Sequence, residues 1–181
     1  MKLTSFRITD YRSITDTGQI EVDPRITCLV GKNESGKTTV LQALRRINPV
    51  HATNFNLTLD FPRNRLIQHQ RERKQSGGPA PLVATATFEL DDDDSSLIES
   101  TLGEGALRDR LVTVRVGYEA KTAADVPIDE PAVVRHLLSG TEWETRASGF
   151  TAVSQLLEAL KQATEDEAAR QLVPKVTPLS S

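Results

Sequence analysis

Eight residues constrain this chain more than any others: Gly31-Lys32-Asn33-Glu34-Ser35-Gly36-Lys37-Thr38 satisfies the pattern G-x-x-x-x-G-K-[ST] at every position. A loop of that pattern wraps phosphate. Its two glycines let consecutive backbone N–H groups converge on an anion where a Cβ would stand in the way. The flanks agree with it. Upstream, Ile26-Thr27-Cys28-Leu29-Val30 is a nearly continuous, β-branched apolar run that predicts a strand buried on both faces, with Cys28 as a small core residue rather than a reactive thiol. Downstream, Val40, Leu41, Leu44 and Ile47 fall on one face of a helix that Pro49 ends. A helix opening on the loop adds unpaired amides and the positive end of its dipole. The pattern therefore assigns Gly31, Asn33, Glu34, Ser35 and Gly36 to the phosphate cradle of an ATP site. Lys37 is the catalytic cation on the β- and γ-phosphates, Thr38 the hydroxyl that holds Mg²⁺, and Thr39 a contact to the α-phosphate.

The rest of the chain supplies a mixed α/β setting. Residues 2–8 and 19–22 read as short strands around a turn centred on Asp16-Thr17-Gly18. Residues 82–90 and 112–118 alternate apolar and polar positions, as half-buried, antiparallel neighbours do. Residues 63–75 are polar and basic, a helix or an extended loop, followed by a Gly77-Gly78-Pro79 break. The last third is helical: Pro131 suits a first helical turn, with Val133, Val134, Leu137 and Leu138 as its apolar face. A second helix from about Thr151 is expected to run on to Leu172 before Pro174. These patterns divide the chain into a phosphate-loop lobe with an antiparallel β-subdomain over 1–120 and a helical segment over 121–181.

One cysteine in 181 residues excludes a disulfide framework and a Cys-rich zinc site. No apolar run approaches the roughly 20 residues needed to span a bilayer, and the first residues lack the apolar stretch of a secretion signal. A cytoplasmic protein without a membrane partner is the expectation. The net charge of −3 argues against a surface that is a nucleic-acid footprint throughout, and leaves room for a local one. Arg63, Arg65, Arg71, Arg73 and Lys74 form such a patch, either a solvated helix face or a track for a nucleic-acid backbone, with DNA the candidate partner. Asp91 to Asp94 reads as a solvated turn in preference to a divalent-ion site.

About 25 residues of strand and turn precede the loop, which a nucleotide kinase or small GTPase does not usually have, and no guanine motif or lid-like arginine pair follows it. The whole stretch from Met1 to Leu44 instead resembles the N-terminus of ABC-type ATPase heads of the SMC/RecF group. Within that group it is most similar to bacterial AAA-family ATPases related to OLD nucleases. The segments that carry the resemblance are Asp10-Tyr11-Arg12-Ser13, the loop itself, Asp60-Phe61-Pro62-Arg63 and the strand end Phe88 to Asp92. The resemblance covers roughly residues 1–120. It implies that Arg12 and Ser13 lie near the nucleotide and that Gln68 or Gln70 stands where these heads place a Mg²⁺-sensing glutamine. It also implies an opposing head, a homodimer being the simplest arrangement, and service in DNA processing or phage defence.

Such a head also needs a strand of four apolar residues ending in Asp-Glu, and none is present. Val126-Pro127-Ile128-Asp129-Glu130 carries a proline that a central strand cannot take, and Leu138-Ser139-Gly140-Thr141 reads as a helix cap and not as an L-S-G-G-Q signature. The sequence thus predicts an ATP-binding lobe whose hydrolytic partners, a second lobe or opposing head, lie elsewhere. The alternatives are an interaction module working through residues 63–74 and a small-molecule kinase, which lacks a recognisable lid.

Overall fold

The computed structural model describes residues 1–32, 35–48, 54–77, 80–119, 122–163 and 166–179. They form two compact units, Met1–Glu89 with Leu111–Val126, and Leu90–Arg110 with Pro127–Ser181.

The first unit is a mixed α/β structure on an antiparallel sheet. A long strand β1 (Lys2–Tyr11) turns into β2 (Ile14–Asp16) and is met further back by β3 (Ile20–Glu21). Helix α1 (Lys37–Arg45), the single turn α2 (Leu57–Asp60) and the exposed helix α3 (Arg63–Ser76) follow. Strands β4 (Leu82–Glu89), β5 (Leu111–Gly117) and β6 (Ala123–Asp125) complete a sheet ordered β2-β1-β4-β5-β6, with β3 also on β1. Every strand pair is antiparallel. Alternation puts Phe6, Ile8, Ala84, Ala86 and Val116 into the core, where α1 adds Val40, Ala43 and Ile47. Where simple alternation would put Val83 on the other face, a register shift between Leu82 and Ala84 leaves it fully buried and Leu82 exposed.

Three expectations change here. Residues 26–30 belong to no strand, and Ile26 is 75% and Val30 90% exposed. Cys28 is exposed as well, so it is not a core residue. A β-branched run needs neighbouring strands to be buried, and no described residue pairs with this one; only Leu29 reaches the core. In α1 the expected face is rotated, with Leu41 59% exposed and Ala43 buried in its stead. Pro49 lies outside the described residues, as do Gly78 and Pro79.

The second unit is helical. Asp91 caps α4 (Asp92–Leu102) through a reciprocal arrangement with Asp94, so the aspartate run is a helix start. Helices α5 (Glu130–Leu138), α6 (Val153–Gln162) and α7 (Glu167–Val176) pack Val133, Val134, Leu138, Leu156, Leu160, Leu172 and Val176 around Trp143. Asp129 caps α5, and Leu138 ends it just before Ser139 and Gly140. The expected long last helix is two: Asp166 caps α7 and also accepts the Trp143 indole N–H at 2.7 Å, and α7 carries Pro174 inside it. No helix among the described residues is long and apolar enough to cross a membrane.

Candidate nucleotide site

Gly36 begins α1 in the left-handed region, at φ 89°, which a side chain would strain. Its own carbonyl accepts the first helical bond, from Val40 N–H at 2.9 Å, and no side chain caps the helix. The amides of Lys37, Thr38 and Thr39 therefore point out of the helix start toward the loop, the arrangement that receives an anion. Gly31 permits the approach of the loop's far side, because a Cβ there would lie 2.7 Å from Ser35 Oγ.

Lys37 is turned into this loop. Its Nζ donates to the carbonyls of Gly31 and Lys32, both at 2.7 Å, and to Ser35 Oγ at 3.4 Å. Three donors meet three acceptors, so the ammonium is held over the loop. Thr38 is exposed at the second position of α1, and Thr39 half-buried beside it. Asn33 and Glu34 lie outside the described residues.

The loop borders an open cavity of about 450 Å³ between Ser13 of the β1–β2 turn with Ile14 and Asp16 of β2, the approach to the loop (Leu29, Val30) and Gly31, Ser35, Gly36 and Lys37. Ser13 lines this cavity, its Oγ 3.7 Å from the position a Gly36 Cβ would take. Arg12 does not line the cavity. Its backbone N–H donates to Asp60 O at 2.5 Å, its Nε to Asp60 Oδ1 at 3.3 Å and its Nη1 to Gln42 on α1. Gln68 and Gln70 are exposed on α3, Gln68 bonded to Glu72, and neither lines the cavity.

Two acids matter here that sequence reasoning gave no role. Asp16 is the one carboxylate among the described lining residues. Its bonds from the Arg7 guanidinium and the Gly18 amide bring its pKa down to about 2. A proton acceptor works best when its pKa lies near the operating pH, so Asp16 is a poor base for activating water. Asp60, only 4% exposed, accepts from Arg46 Nη1 at 2.7 Å and from the Asn56 amide at 3.1 Å in addition to Arg12. Burial pushes its pKa up, but those donors outweigh burial and hold it below the usual carboxylate value. Around it, Tyr11, Phe55, Phe61 and Tyr118 form an aromatic cluster with paired centroids 5.4 to 6.1 Å apart, Phe55 edge-to-face with Tyr11 and Tyr118 and Phe61 tilted against Tyr118, and Arg12 and Arg46 both lie over the Tyr11 ring. The signal for Asp60 was present in D-F-P-R; its partner, 48 residues away, was not.

Among the described residues no His/Cys/Asp/Glu group is arranged to hold a metal ion. The group that fits a Mg²⁺ shared with phosphate is Thr38, whose exposed hydroxyl offers a single oxygen in the first turn of α1. Residues 1–105 match the family model of the AAA ATPase domain. No curated protein matches the chain.

Proposed function

The chain belongs to the AAA ATPase domain family, which makes it a nucleotide-binding P-loop ATPase region, and from that premise we propose that it is the ATP-Mg²⁺-binding lobe of an ABC-type head in the SMC/RecF/OLD-nuclease-like group. One observation carries the reading: the uncapped start of α1, the left-handed Gly36 and the inward Lys37 converge on the cavity that Ser13 lines. On arrival of the triphosphate, Lys37 exchanges loop carbonyls for β- and γ-phosphate oxygens, and the amides at the start of α1 take the remaining charge. Thr38 would hold Mg²⁺, which when bound would neutralise phosphate charge; Thr39 contacts the α-phosphate and Ser13 flanks the nucleotide, while Arg12, expected beside it, is turned instead to Asp60 and Gln42.

Turnover needs an acceptor for a proton of water and charge on the departing phosphoryl group. Asp16 is unsuited to the first task, and Glu130 and Asp92, the acids of two candidate strand ends, are engaged by the Val153 amide and by Arg110. The missing groups belong to a second lobe or opposing head, a second copy of the chain being the simplest. The exposed run 26–30 supports that arrangement, since it offers β-branched side chains and backbone for neighbouring strands. A cytoplasmic role in DNA processing or phage defence fits such an engine. Calorimetry with ATP-Mg²⁺ tests the binding reading: the parent binds and Lys37→Ala weakens binding by at least about a hundredfold, whereas equal affinities would refute it.

A second reading rests on α3. Arg65 and Arg73 are committed to Asp10 and Glu119, but Arg63, Arg71 and Lys74 are exposed and make no ion pair among the described residues. Positions 63, 67, 70, 71 and 74 share one side of the helix, which includes Ile67, 65% exposed. In this reading the side tracks a polyanion such as DNA, and binding that persists without nucleotide separates it from the first.

A further inference from the structure

Two residues with side chains occupy the left-handed region among the described residues, Asp10 at φ 47° and Arg12 at φ 53°, and they flank the fully buried Tyr11. Such conformations persist where surrounding bonds over-determine them, and they concentrate at functional sites. Each has its own tether. Asp10 is held by the Tyr118 hydroxyl, which donates to its carbonyl at 2.5 Å, and by Arg65 on its carboxylate. Arg12 is held at backbone and side chain by Asp60, with Gln42 of α1 as a third point. The residue that follows is Ser13, and the one after is Ile14, whose Cγ1 lies 3.5 Å from the Cβ position of Gly36.

We infer that Asp60 is a positioning residue for nucleotide binding: by clamping Arg12 in its left-handed conformation it sets Ser13 and Ile14 against the glycine at the start of α1. The inference rests on the phosphate-loop reading and adds to it a buried carboxylate outside the cavity. A salt bridge serving stability alone would need only the Arg46–Asp60 pair, 2.7 Å long. Asp60 instead spends its main-chain carbonyl and one carboxylate oxygen on Arg12.

The test is ATP-Mg²⁺ calorimetry on the parent, Lys37→Ala, Asp60→Asn, Ser13→Ala and the Asp60→Asn/Ser13→Ala double variant, each checked for folding by circular dichroism. Asp60→Asn keeps the shape and removes the charge that holds two guanidinium groups, and it weakens binding about tenfold. Because it acts through Ser13, its loss and that of Ser13→Ala fall short of adding in the double variant. Should Asp60→Asn fail to fold, Arg12→Gln replaces it, leaving Asp60 with Arg46 and Asn56; about fivefold weaker binding is expected, again not additive with Ser13→Ala. Unchanged ATP affinity in the folded variant, or losses that add fully, overturns the positioning role while leaving the loop reading intact if Lys37→Ala has lost binding. A parent that does not bind ATP overturns both.

Discussion

The two sides of the phosphate loop are built to different standards. On the side of the β1–β2 turn, a buried carboxylate, two guanidinium groups and four aromatic rings fix the backbone against α1. On the side of residues 26–30, Val30 is 90% exposed one residue before Gly31. The contrast separates what is local to the loop and its turn, which this chain packs by itself, from the run feeding the loop, which the described residues leave exposed. In the proposed reading, binding and turnover separate for the same reason.

The contrast breaks if the packed side tolerates truncation. Phe61 is 2% exposed and touches the Tyr118 and His69 rings, so Phe61→Ala is expected to cost roughly 3–5 kcal/mol by chemical denaturation. A cost under about 1 kcal/mol would mean that the cluster is not a core.

A pH titration sharpens the contrast. Asp60 is held below its ordinary value of 3.8 in the folded chain, so its contribution is complete above that value. It is lost as pH falls from there through the lower folded pKa. The parent should therefore lose stability more steeply on the acid side than Asp60→Asn, and parallel acid limbs would count against a charged Asp60 clamp.

The smallest effect belongs to the open side. Val30→Thr keeps the branched shape and is expected to change stability by no more than about 0.5 kcal/mol. A loss of several kcal/mol would show that residues 26–30 are covered in solution by this chain alone.

How far the sequence could be read follows the same divide. The start of α1 and the β4–β5 pairing were legible because periodicity and local backbone geometry dictate them, whereas the turn expected at Asp16-Thr17-Gly18 falls at Arg12-Ser13, with Asp16 inside β2. The run 26–30 misled, since β-branched residues record an appetite for burial and not whether partners are at hand. The Cys28 expectation failed with it. Val83 was hidden by a register shift that alternation does not encode. Asp60 stood in plain view within D-F-P-R, yet its role arises from Arg12, brought beside it only by the fold.

Phosphate release from ATP by purified 1–181, at concentrations where calorimetry shows ATP bound, tests the separation of binding from turnover most directly. The account predicts release no faster than in Lys37→Ala, rising when a polypeptide carrying the second lobe is added. Steady release by the chain alone, abolished in Lys37→Ala, would contradict it and point to a catalytic carboxylate within these residues.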